Sequence, residues 1–129
     1  MAEKIDSFKQ LRVYQAAIQA LDEVYDLTAM FPKSERFRAT DQILRSASSV
    51  GANIAEGWRR RRYEGAFINK LSESEGEAAE TQHWLELARR RSWAPAEKIA
   101  KLDAVYESIQ RQLVHMINHP QDWIIVTAT

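Results

Sequence analysis

The sequence predicts an all-α chain folded as an antiparallel up-down-up-down four-helix bundle. Three observations carry that prediction: apolar residues recur at three- and four-residue steps along four segments, short breaks separate them, and no strand-like alternation occurs before residue 120. At 129 residues the chain suffices for one core and not for two, so a bundle over residues 1–120 and an apolar tail over 121–129 are expected.

Ser7 and Gln10 have the spacing of a capping box, and Phe8, Leu11, Tyr14, Ile18, Leu21 and Tyr25 follow with helical period, which places the first helix there. Phe31-Pro32 ends it, because proline disfavours helical geometry in the residue before it, and Ser34 is suited to cap the next helix. That second helix is expected to run to about Arg60, with Phe37, Leu44, Ala47, Gly51, Ile54 and Trp58 on one face. From Leu44 to Gly57 it carries small and hydroxylated side chains where an ordinary helix has leucine, so a second helix can approach closely. Gly51 costs roughly 1 kcal/mol relative to alanine in a helix, which argues for a neighbouring backbone close by; simple tolerance of a glycine is the other reading.

The third helix is expected from about Glu64 to Arg90, marked by Phe67, Leu71, Ser74, Ala78, Leu85 and Ala88. After the break Ser92-Trp93-Ala94-Pro95, proline suits the first turn of a fourth helix whose core positions are Ile99, Leu102, Tyr106, Ile109, Leu113 and Met116. Asn118-His119-Pro120 ends it. The following Trp123-Ile124-Ile125-Val126 is apolar and β-branched, and either folds back on its own bundle or forms a contact with the next subunit.

Composition narrows the function by exclusion. With 18 basic and 18 acidic residues, net charge points to no partner, and any electrostatic site must be read from local clusters. The absence of cysteine excludes disulfides, thiol catalysis and thiolate metal sites. The first residues lack the apolar core of a signal peptide and no later run is apolar enough to span a bilayer, so the expected location is the cytoplasm, away from membranes.

Arg59, Arg60, Arg61 and Arg62, framed by Trp58 and Tyr63, combine guanidinium groups for phosphates with rings for base stacking, the ingredients of an RNA or single-strand contact. In an up-down bundle this run shares an end with Lys4 and Lys9, while Arg36 and Arg38 lie at the other end near Arg89, Arg90 and Arg91. The competing reading is structural: arginines at helix carboxyl ends complement the helix dipole and can pair with Glu56, Glu64 and Glu86. Trp58 falls on the apolar stripe, where burial is the preferred role.

Glu80-Thr81-Gln82-His83 matches one Glu-x-x-His element of di-iron bundles, but no second copy exists, so Glu73, Glu77 and Glu80 read as an acidic face. His115 and His119 stand four apart with Asp122 beyond them, and satisfying terminal carbonyls is their preferred role over metal binding. Ser46, Ser48 and Ser49 lack a histidine-carboxylate pair and read as interhelical hydrogen bonders, and no glycine-rich phosphate loop occurs. No metal, cofactor or catalytic residue is therefore expected, and the chain reads as a binding protein and not an enzyme.

From Phe31-Pro32 through Glu56-Gly57, and again at Glu80-Thr81-Gln82-His83-Trp84-Leu85, the chain resembles the four-helix bundle family encoded in intervening sequences of bacterial 23S ribosomal RNA. Its most specific element is Arg45, Ser49-Val50 and Ala52-Asn53-Ile54-Ala55-Glu56-Gly57, with Gly51 where the family usually has proline. The accessory protein of diversity-generating retroelements is similar, a ring-shaped homopentamer whose basic surface engages reverse transcriptase and nucleic acid. The resemblance implies a bundle without catalytic activity, self-association with five subunits the first choice, contact with RNA or DNA, and a protein partner. A scaffold that binds no nucleic acid is the alternative.

Overall fold

Proline stands at positions 32, 95 and 120, and the backbone turns at each. The computed structural model describes residues 4–125. Four helices follow in order, α1 (Arg12–Thr28), α2 (Ala39–Arg59), α3 (Glu64–Arg90) and α4 (Ala96–Asn118), with single 3₁₀ turns at Phe8–Gln10, Lys33–Glu35 and Pro120–Asp122. α2 and α4 each pack on both α1 and α3, so the antiparallel four-helix bundle is closed by its first helix against its last. Among the described residues no helix is long and apolar enough to cross a membrane.

The second half of the chain follows its apolar periodicity. Phe67, Leu71, Ser74, Ala78, Leu85 and Ala88 of α3 are buried together with Thr81, and Ile99, Leu102, Tyr106, Ile109, Leu113 and Met116 of α4 meet them. Tyr106 lies in the middle of this core; its hydroxyl has no hydrogen-bond partner, and burial pushes its pKa up, so it stays neutral. α3 stops in a Schellman arrangement, in which Trp93 N–H donates to the Ala88 carbonyl (2.9 Å) and Ser92 N–H to that of Arg89 (3.2 Å). Ser92 occupies the left-handed position that usually holds glycine, at φ 56°.

The first half departs from expectation in register. The capping box at Ser7 forms, with Gln10 Oε1 accepting from Ser7 N–H at 3.1 Å, but it caps only the Phe8–Gln10 turn; Leu11 is extended and α1 starts at Arg12. Its buried stripe is Val13, Ala17, Ala20, Val24 and Leu27, one position over from the larger residues, so that Ile18 and Tyr25 are 42% and 56% exposed. The small residues face inward because they let α1 sit close to its neighbours. The larger Phe8, Tyr14, Ile18 and Leu21 instead line an open groove against Ala47, Gly51 and Ala55 of α2.

Ser34 does not cap α2 either. Residues Lys33–Glu35 form a 3₁₀ turn, Arg38 precedes α2 without a side-chain cap, and Phe37 falls outside the helix at 83% exposure. Within α2 the core is Ile43, Ala47, Val50, Ile54 and Trp58, with Leu44 only half-buried at its edge. Gly51 is buried, but a Cβ there would meet the Tyr14 ring at 3.5 Å, an ordinary contact with a side chain and not with a neighbouring backbone. Gly57 makes the close approach, since its Cβ would stand 3.3 Å from Lys70 Cβ and 3.4 Å from Leu71 Cδ2.

The left-handed Ser92 supplies a test of this backbone. Ser92→Gly relieves the Cβ conflict and is expected to raise stability by about 1 kcal/mol in denaturant unfolding, whereas Ser92→Val is expected to lower it. A glycine variant no more stable than the parent would remove the strain from this turn.

Candidate nucleic-acid interface at the basic ends of the bundle

The four consecutive arginines begin in the last turn of α2 and occupy the connection to α3, and the structure divides them. Arg61 is structural: its Nε donates to the Trp58 carbonyl (2.7 Å), and its guanidinium lies 3.4 Å from the centre of the Trp58 ring. It also reaches the Trp123 carbonyl at 3.5 Å, while Ile125 N–H donates to the Arg61 carbonyl at 2.9 Å. Burial, with the nearby Arg59 charge, pushes the Arg61 guanidinium down from its ordinary pKa. Trp58 beneath it is 5% exposed and packs in the core, which leaves Tyr63, at 69%, as the ring open to a base.

Arg59, Arg60 and Arg62 are exposed, and among the described residues none lies within ion-pair distance of a carboxylate. Glu56, a suitable partner by sequence, is bound by Lys70 at 2.9 Å instead. Sequence reasoning missed part of this end. Lys4, Arg12, Arg111 and His115 line a groove of about 1000 Å³ between α1 and α4, and Trp123, which also lines it, joins it to the Arg61 pin. The up-down topology alone would have brought Arg12 and Arg111 here, because one opens α1 and the other lies near the end of α4.

The opposite end is partly neutralised. Arg38 is bound to Glu35 and Arg89 to Glu86, each at 2.6 Å, while Arg36 lies over the Phe37 ring at 5.3 Å from its centre. Arg90 and Arg91 are exposed and, with His83 and Glu86, line a shallow pocket of about 580 Å³. The two basic ends therefore differ: one keeps three free guanidinium groups on successive turns of chain, the other uses two of its five candidates internally.

The tail folds on its own subunit as far as it is described. Trp123 and Ile124 are half-buried against the core and Ile125 is exposed; Val126 lies outside the described residues.

The other chemical candidates have internal partners. Arg45 of α2 binds Glu77 (3.3 Å) and Glu80 (2.7 Å) of α3, and Trp84 Nε1 donates to Glu80 at 3.1 Å. Glu73 pairs with Lys70, so the acidic face of α3 is matched by bases of its own chain. Burial alone would push the Glu80 carboxyl up, but the bonds from Trp84 and Arg45 outweigh it and hold the group below its usual range. His83 is exposed, edge-on to Trp84, and the described residues contain no cluster of three groups able to hold a metal. His119 Nδ1 meets the His115 carbonyl at 2.8 Å with the two rings stacked, the terminal-carbonyl role. Of the three serines only Ser46 bonds across helices, to Thr81 Oγ1 at 2.8 Å; Ser74 provides a second crossing by donating to the Val50 carbonyl at 2.7 Å.

The division of the arginines is measurable. Arg61→Ala is expected to cost about 1–3 kcal/mol in denaturant unfolding, because a charged hydrogen bond and a cation–π contact go together. Arg59→Ala, Arg60→Ala and Arg62→Ala are expected to stay within about 0.5 kcal/mol of the parent. The Arg45–Glu80 pair predicts a pH dependence of fixed sign. A carboxyl with a depressed native pKa contributes stability above its unfolded pKa and loses it as pH falls through the native one. Thermal midpoints of the parent are thus expected to drop on acidification below about pH 4.5, and Arg45→Gln is expected to flatten that limb.

Residues 9–115 match the family model of the 23S rRNA-intervening sequence protein. A solved structure from Bacteroides thetaiotaomicron VPI-5482, a protein of unknown function from the S23 ribosomal protein family, is similar to this chain at 30% identity. The match covers 81% of this chain and 97% of that one, with a TM-score of 0.74. No curated protein matches it. A family model spanning most of the chain and a solved relative sharing the bundle agree: the chain belongs to the 23S rRNA-intervening sequence protein family.

Proposed function

We propose that this protein is a non-enzymatic, self-associating bundle of the cytoplasm that contacts RNA or DNA phosphates through its basic ends, chiefly the one built by Arg59, Arg60 and Arg62. The observation that carries the reading is the freedom of those three guanidinium groups beside an exposed Tyr63, in a chain whose Arg38, Arg45 and Arg89 are all paired with carboxylates. Free cations on a connection gain from counterion release when they meet phosphate, whereas paired ones must first lose a partner. The printed names of the family and of the solved relative both refer to the ribosome, which makes ribosomal RNA the first nucleic acid to try. Five subunits is the number that the family resemblance implies. A protein partner is compatible with the same ends.

A scaffold without nucleic-acid binding is the second reading, favoured by the balance of 18 basic against 18 acidic residues and by the internal pairing of the other arginines.

Fluorescence anisotropy with labelled single-stranded RNA and DNA at several salt concentrations separates the two readings. Binding is expected to weaken linearly in the logarithm of salt, with a slope of about −0.7 per neutralised phosphate. Replacing Arg59, Arg60 and Arg62 by glutamine is expected to flatten that slope and weaken all sequences alike, and Tyr63→Ala to weaken single strands further. No binding by the parent at low salt would leave the scaffold. Binding that survives the glutamine variant would move the site to Arg36, Arg90 and Arg91.

A further inference from the structure

We infer that the groove between α1 and α4 is a face on which a second copy of this chain docks, related to the first by a two-fold axis parallel to the bundle. The inference rests on the self-association proposed above and assigns it a surface. The groove measures about 360 Å³, and its charges are sorted by helix: Glu23 and Asp26 stand on the α1 wall, Lys98 and Lys101 on the α4 wall. All four are exposed, and none forms an ion pair among the described residues. Between the walls lies an apolar floor that includes Leu102, Val105 and Met30, the last 44% exposed. The other carboxylates along α4 do not blur this division, since Asp103 and Glu107 are engaged by Gln82 of α3.

Geometry then selects the partner. α1 and α4 run antiparallel, so Asp26 and Lys98 lie toward one end of the groove, Glu23 and Lys101 toward the other. Rotation by 180° about an axis parallel to the bundle sets the α1 of each copy opposite the α4 of the other at the same height. Each acidic wall then faces a lysine wall, twice over, while the two apolar floors meet and leave water. Rotation about an axis across the bundle sets α1 against α1 and α4 against α4, and like charges meet. The surface is complementary to itself in one orientation only. Such a contact closes at two, so it points to pairs where the family resemblance implies five.

Charge reversal of each wall tests this, with the mass of the full chain read by light scattering and its affinity by sedimentation. Glu23→Lys with Asp26→Lys makes both walls basic, and Lys98→Glu with Lys101→Glu makes both acidic. Each variant alone is expected to dissociate at least about tenfold more readily than the parent, because like charges then meet across the axis. Mixed in equal amounts, the two variants are expected to pair with each other at close to the parent affinity, since every wall again faces its opposite; recovery on mixing also shows that both are folded. A parent assembly whose mass and affinity ignore both reversals, a mixture that fails to pair, or an assembly with an odd number of subunits would overturn the two-fold contact and leave self-association standing. A parent that is monomeric at tens of micromolar would overturn both.

Discussion

The close seam between α2 and α3 is the constraint on which the rest of the molecule depends. Along it a large residue is replaced by a small or hydroxylated one at position after position: Ser46 meets Thr81, Ser74 reaches the Val50 carbonyl, and Gly57 clears Lys70 and Leu71. These two hydrogen bonds satisfy buried polar atoms that would otherwise cost about 1–3 kcal/mol each. They also fix the sliding register of the two helices, because each joins a particular residue to its partner where apolar contacts alone would tolerate a shift. On the outer side of the same seam Arg45 binds Glu77 and Glu80, which adds charge pairing to the same alignment.

With that seam in place, the connection between α2 and α3 is short and its arginines have few directions to take. Arg61 turns inward over Trp58 and becomes the clasp between the bundle and the tail, leaving its neighbours to face solvent. A run of four identical residues is thus three ligands and one strut. The same logic runs in reverse at the far end, where Glu35 and Glu86 each take an arginine out of play. What a basic cluster offers a phosphate is the number of cations not already committed, and that number is set by packing.

Basic ends and a groove with sorted charges are separate surfaces, and they suit separate tasks. The ends are convex and carry one sign, as a contact with a polyanion needs, while the α1–α4 groove carries both signs and an apolar floor, as a contact between copies needs. Docking through the groove would leave both ends of each bundle open, since its axis runs parallel to the helices. Two copies would then present their arginine clusters side by side, a doubling that raises apparent affinity for a long strand without any new contact.

Much of this fold was legible from the residues alone. α3 and α4 declared themselves fully, because their buried positions are occupied by the largest apolar side chains at helical spacing, and the family could be recognised from the small-residue stretch of α2 and the motif around Glu80. α1 was legible as a helix and not in its register: Val13, Ala17 and Ala20 turn inward while Tyr14, Ile18 and Tyr25 face outward, since tight packing rewards small size and a reading of periodicity rewards bulk. Phe37 and Ser34 were misplaced for a related reason, as a 3₁₀ turn held by the Arg38–Glu35 pair delays the start of α2, and no local signal announces it. Sequence by itself determined the helix count, the core of the second half and which residue types gather at each end. Only the tertiary structure decided which arginines remain free, that Trp58 is buried while Tyr63 is open, and that the acids of α1 face the lysines of α4, because all three depend on which side chains from distant segments arrive at the same place.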